Sequence, residues 1–201
     1  MADDHALIEQ FQRGDRRAFD ELVRRHYSLA YNLAYRILGD SDAAADATQA
    51  AFVRAYRGLA GYRGGAAFTT WLHRIVVNVS LDMARRQQRA TSIEAESDQP
   101  TPLEARLPSE SLGPDEEVLQ RERARAVQRA LMKLAPLHRA VLTMYELQGL
   151  SYDEIAAVLG VPLGTVKSRL NRARAAFAKA LGEYRELFGM DAGQSAEESK
   201  E

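Results

Sequence analysis

Cysteine is absent from the 201-residue chain, which excludes a disulfide framework and any thiolate-held zinc. Long apolar runs are absent too, and nothing approaches the roughly 20 residues needed to span a bilayer. The N-terminal stretch MADDHALIEQF lacks the basic-then-apolar order of a secretory signal. A cytoplasmic location is therefore expected. Catalytic motifs are missing as well. His5, His26, His73 and His138 are scattered, and no H-E-x-x-H, G-x-x-x-x-G-K-[ST] or G-x-S-x-G occurs. Gly61, Gly64 and Gly65 lie between helical stretches rather than after a strand, so they do not suggest a nucleotide site. An enzyme is not expected, nor a metal or other cofactor. Strand-like alternation is absent throughout, which leaves an all-α chain.

Charge is the informative quantity. The formal net charge of −1 conceals segregation: +2 over residues 1–87, −6 over 88–117, +7 over 118–182 and −4 over 183–201. Only the basic parts carry helical periodicity. Two folded units that bind a polyanion, separated and followed by segments that do not, would have this asymmetry.

The predicted helices follow from 3.6-residue spacing of apolar positions. Asp4–Gln12 is short and ends near Gly14. Asp15 can cap a longer helix in which Phe19, Leu22, Val23, Ala30, Leu33, Ala34 and Ile37 turn inward, up to Gly39. Ser41 or Asp42 starts the next, with Ala43, Ala47, Ala51, Phe52, Ala55 and Leu59 inward. Residues 58–67, GLAGYRGGAA, carry four glycines and are expected to form a loop. Phe68–Gln88 resumes as a helix with Trp71, Leu72, Ile75, Val76, Val79 and Met83 on its buried side. The first unit, residues 1–88, is thus a bundle of about four helices.

Residues 89–116 hold four of the six prolines together with Ser, Thr and acids, and read as a flexible acidic linker. A second small helical unit is expected over 117–183. Val118–Leu134 has Val118, Ala126, Val127, Ala130, Leu131 and Leu134 inward; Leu137–Leu147 follows after Pro136. Residues 184–201 form an acidic tail.

The stretch LSYDEIAAVLGVPLGTVKSRLNRARAAFAKAL (Leu150–Leu181) organises the second unit. Ser151 and Glu154 have the S-x-x-E spacing of a capping box. Ile155, Ala156, Val158 and Leu159 face inward, Gly160 suits a left-handed helix end, and Pro162 pre-sets the next helix. Val166, Leu170, Ala173 and Phe177 make one face of that helix apolar. Lys167, Arg169, Arg172, Arg174 and Lys179 make the remainder cationic, with no acid from Pro162 to Gly182. A major-groove helix needs positive charge for phosphates and short polar side chains for base edges, and Ser168 and Asn171 supply the latter. Turn length, cap and one-signed charge together indicate a helix-turn-helix that binds DNA.

Three segments then resemble the extracytoplasmic-function sigma factors, the smallest of the sigma-70-type factors of bacterial RNA polymerase. DATQAAFVRAYRGL (Asp46–Leu59) is similar to the segment that docks on the polymerase clamp helices. FTTWLHRIVVNVSLDMARRQ (Phe68–Gln87) is similar to the segment that recognises the −10 promoter element. LSYDEIAAVLGVPLGTVKSRLNRAR resembles the −35-reading helix-turn-helix. The order and spacing of the three carry the resemblance.

The resemblance implies two helical domains, and an alternative sigma factor that binds polymerase core through its β and β′ subunits. It implies promoter DNA as the second partner and an anti-sigma factor as a further one. Asp46, Gln49, Arg54 and Arg57 are implied to face polymerase, although Ala45, Ala47 and Ala50 stand where relatives commonly carry acids or a larger aliphatic. Tyr62, Arg63, Phe68, His73, Arg74, Asn78, Arg85 and Arg86 are implied around the −10 element. For the −35 element, Lys167, Ser168, Asn171 and Arg172 match base-reading positions, with Thr165, Arg169 and Arg174 on phosphate. Trp71, beside Leu72 and Ile75, reads as core. The rival readings are a free-standing regulator, which would bind a palindrome as a dimer without polymerase, and a pure interaction module.

Overall fold

The computed structural model describes residues 3–65, 67–91 and 114–189. Eight α-helices follow one another among these residues: α1 Asp4–Gln12, α2 Arg17–Leu38, α3 Ser41–Leu59, α4 Phe68–Thr91, α5 Pro114–Met132, α6 Pro136–Glu146, α7 Tyr152–Leu159 and α8 Leu163–Leu181. A 3-10 segment, Gly182–Phe188, closes the described chain, and no strand occurs among the described residues.

Local chemistry sets the helix ends. The Asp15 carboxylate accepts from the Arg17 amide at 2.9 Å, as its position before α2 predicts. Gly39 ends α2 in the left-handed conformation with φ +78°, which a side chain would disfavour. Asp40 caps α3 by accepting from the Ala43 amide at 2.7 Å, so Ser41 opens that helix. Three expectations need correction here. Gly58 belongs to the last turn of α3 rather than to the loop, and Leu59 is buried at the end of that helix as its inward spacing predicts. The reason is packing: a Cβ on Gly58 would come within 3.1 Å of the Trp71 ring, so glycine lets the indole lie against the helix. Val118, expected inward, is 58% exposed, because α5 is a long helix that rests on its neighbours only over its second half. The linker expected over residues 89–116 shrinks from both ends, since α4 runs to Thr91 and α5 begins at Pro114; residues 92–113 lie outside the described chain.

Helices α1–α4 pack around Leu22, Leu33, Ile37, Leu59, Leu72, Val76 and Val77, all fully buried. Alanines on α3 (Ala44, Ala47, Ala51, Ala55) have no exposed surface, which lets α2 and α4 approach it closely. Ala47 is therefore a core position here. Helices α5, α6 and α8 close around Leu131, Val141, Leu142, Leu170 and Ala173.

The two units are not separate beads. Ala140, Met144, Leu150, Ile155, Val158 and Val166 from α6–α8 join the same apolar cluster as α1–α4. Polar contacts close the seam. Gln128 donates to the Tyr35 carbonyl at 3.2 Å and accepts from Arg36 at 3.0 Å. Met132 lies against Gly39. Arg139 is buried, and desolvation pushes its pKa down to about 10.

Candidate nucleic-acid interface

Helix α8 presents its cations as the sequence predicts. Lys167, Ser168, Asn171 and Arg172 are exposed on one side, while Val166, Leu170 and Ala173 are buried on the other. Asn171 and Arg172 have no intramolecular polar partner among the described residues. The Ser168 hydroxyl donates to the Thr165 carbonyl at 3.0 Å and keeps its lone pairs free to accept. Thr165 and Arg169 are half-buried at the margins of this face.

The helix is well supported from behind. Ser151 and Glu154 form the reciprocal capping box at the start of α7: the Glu154 amide donates to the Ser151 hydroxyl at 3.2 Å, and the Ser151 amide donates to the Glu154 carboxylate at 2.8 Å. Those bonds hold the Glu154 carboxyl below its ordinary pKa. Gly160 ends α7 with φ +64°, and Pro162 precedes α8. Arg174, also exposed, is not free: its Nε and Nη2 both reach Glu146 Oε1, at 2.8 and 2.7 Å.

A second polar face lies along α4. Arg74, Asn78, Arg85 and Arg86 are exposed, and Arg85 approaches Asp82 at 3.8 Å. The loop before α4 is held from α1. Gln12 Nε2 donates to the carbonyls of Leu59 and Tyr62, at 3.1 and 2.9 Å. Tyr62 is half-buried against Trp71, with ring centroids 5.3 Å apart, and Phe68 is buried beneath both. Arg63 is exposed. Trp71 is partly buried against the core, as its place on the apolar stripe predicts.

His73 is where the structure departs most from its sequence-based role. It is only 3% exposed, on the face of α4 that meets the second unit. Neither ring nitrogen makes a hydrogen bond of good geometry. Burial holds its pKa below the ordinary imidazole value. The nearby Gln148 side chain, Thr69 backbone and Glu154 charge oppose that shift, and His26 weakly adds to it.

The third face is on α3. Asp46, Gln49, Arg54 and Arg57 are all exposed. Exposed apolar residues accompany them: Val53 and Tyr56 on α3, and Tyr27 on α2. Tyr27 stacks on Phe52 and on Tyr31, with interplanar angles of 6° and 11°. No motif in the sequence marks these three. The signal was present, since Val53 and Tyr56 follow Gln49 at i+4 and i+7, off the alanine stripe.

Comparison with known families matches residues 22–90 to sigma-70 region 2 and residues 124–177 to sigma-70 region 4. The ECF RNA polymerase sigma factor SigM of Mycobacterium tuberculosis (strain H37Rv) is 42% identical over 89% of this chain and 85% of its own length. The chain belongs to the extracytoplasmic-function sigma factors. The RNA polymerase sigma-H factor of Pseudomonas aeruginosa is 37% identical over 89% of this sigma factor and 93% of the relative. Among solved structures, CnrH in complex with the cytosolic domain of CnrY aligns with TM-score 0.61 and 28% identity, covering 90% of this chain and 97% of that one. RpoE of Bartonella quintana, in complex with the anti-sigma factor NepR, shares the fold with TM-score 0.64 at 21% identity, covering 86% and 98%. As a sigma factor, the protein directs promoter-specific transcription initiation and is not itself an enzyme. None of its described helices is long and apolar enough to cross a membrane.

Proposed function

We propose that the three faces divide the work of initiation. On α3, Asp46, Gln49, Arg54 and Arg57 dock on polymerase core, with Tyr27, Val53 and Tyr56 supplying the apolar part of the contact. Around the −10 element, Arg63, Arg74 and Asn78 engage the opened strand, and Tyr62 stacks on an unpaired base; one stacked base contributes roughly 1–3 kcal/mol. Phe68 backs Tyr62 from below, and His73 joins only when α7 leaves α4. Arg85 and Arg86 meet the duplex backbone upstream. On α8, Lys167, Ser168, Asn171 and Arg172 read the −35 element, with Thr165 and Arg169 against phosphate. The protein works in the cytoplasm. An anti-sigma factor is the further partner; the anti-sigma factor NepR held by the Bartonella quintana neighbour supports it.

The observation that carries this reading is the outer face of α8, which is cationic, acid-free and holds Asn171 and Arg172 without internal partners. Arg pairs with guanine and Asn with adenine in the major groove. The test measures holoenzyme binding to promoters with intact or scrambled −35 elements. Arg172→Ala is expected to cost about 1–3 kcal/mol on the intact element alone. Equal loss on both would reduce Arg172 to a phosphate contact.

A further inference from the structure

Arg174 lies on the recognition helix but is committed elsewhere. Two of its nitrogens converge on one oxygen of Glu146, at the end of α6, and its guanidinium stands 4.9 Å over the Tyr145 ring. The Tyr145 ring stacks on Tyr152, the first residue of α7, with centroids 5.1 Å apart and an interplanar angle of 12°. Beyond Tyr152 comes Lys167, its Nζ 6.0 Å from that ring. A column therefore runs Glu146–Arg174–Tyr145–Tyr152–Lys167 across three helices. It begins and ends with charged groups, and it touches α8 at two points seven residues apart.

Seven residues are two turns, so Arg174 and Lys167 lie along the same edge of α8, about 10 Å apart. The buried Val166, Leu170 and Ala173 face sets the roll of α8 coarsely, and the bond from Arg174 to Glu146 on the exposed side limits the rotation that this packing alone permits. Roll matters because the base-facing side chains project from a helix about 5–6 Å in radius, where a 20° rotation shifts their tips by about 2 Å. Hydrogen bonds to base edges tolerate only a few tenths of an ångström. Arg174 is also a poor candidate for phosphate, since the Glu146 carboxylate already neutralises it.

We propose that Arg174 is a strut rather than a DNA contact, and that Glu146, Tyr145 and Tyr152 are positioning residues that set the roll of α8 for −35 discrimination. This rests on the reading of α8 as the −35 helix. It replaces the phosphate role that sequence alone gives Arg174.

The test uses the full chain in holoenzyme, binding promoters with matched and scrambled −35 elements over a series of salt concentrations. Arg174→Ala, Glu146→Gln and the pair combined are each expected to narrow the matched-to-scrambled ratio by about 3- to 10-fold, the size of a surface ion pair plus a cation–π contact. The combination should be no worse than Arg174→Ala, because both changes remove one interaction. The salt slope should stay that of the unaltered protein. Arg174→Lys should narrow the ratio too, since an ammonium reproduces neither the converging donors nor the flat stacking. A phosphate contact behaves otherwise: Arg174→Ala would weaken both DNAs equally and lower the salt slope by about 1, Arg174→Lys would restore binding, and Glu146→Gln would tighten it. That pattern overturns the strut, as would an unchanged ratio in all variants. The double variant Asn171→Ala with Arg172→Ala separates the two failures. If it leaves the ratio unchanged, α8 is not the reader; if it alone narrows the ratio, the reading stands and the strut falls.

Discussion

Arg139 Nη1 donates to the Ile37 carbonyl at 2.5 Å, across 102 residues of sequence. Its Nε donates to the Leu134 carbonyl at 3.1 Å. One cation thereby satisfies the carbonyl end of α2 from the first unit and the turn after α5 from the second, and the negative end of the α2 dipole favours it there. Arg139→Met, of similar length but without donors, leaves both carbonyls unsatisfied. It is expected to cost about 1–3 kcal/mol in urea unfolding, and small-angle scattering should show a larger radius of gyration as the units part. Unchanged stability and size would show that the seam does not depend on this residue.

Gly39 tests the same seam sterically. Its φ of +78° disfavours any side chain, and a Cβ there would overlap the Met132 thioether. Gly39→Ala is expected to cost about 1–3 kcal/mol from backbone conformation alone. A further loss should appear that Met132→Ala relieves. If Met132→Ala relieves nothing, the contact between α2 and α5 is slack.

The seam should also respond to acid through His73. Its folded pKa lies below the ordinary value of 6.5 because burial opposes the charged form. Between the folded and unfolded values the unfolded chain binds more protons, so stability rises with pH in that window. On acidification, stability is expected to fall from about pH 6.5 downward, levelling once the buried ring itself protonates. His73→Leu should flatten that part of the profile. An unchanged profile would place the acid sensitivity on other groups.

The cap of α7 offers a local check. Ser151→Ala removes the hydroxyl that accepts from the Glu154 amide and is expected to cost about 0.5–2 kcal/mol. Thermal unfolding measures it, and a neutral result would mean water replaces the cap.

What was legible in the sequence, and what was not, separates by range. The capping box, Gly160, the apolar stripe of α8 and the alanine face of α3 were all readable, because each is a pattern within one or two helices. The order of three such segments carried the family. The contacts of Arg139 with Ile37 and of Gln128 with Tyr35 span 102 and 93 residues, and no periodicity announces them. His73 shows the consequence: a polar side chain on α4 suggests an exposed face until a second unit packs over it. Arg174 is similar, since nothing within α8 announces that Glu146 at the end of α6 pairs with it. Gly58 reads as loop from the sequence because nothing local reveals the Trp71 ring against α3.

Run-off transcription with polymerase core tests the division of labour most directly. Promoters differing only in the −35 or the −10 element would be transcribed with and without the protein. Adding it is expected to produce transcripts from intact promoters that scrambling either element abolishes. Start-site use that is the same with and without the protein would contradict the assignment of its helices to polymerase and promoter.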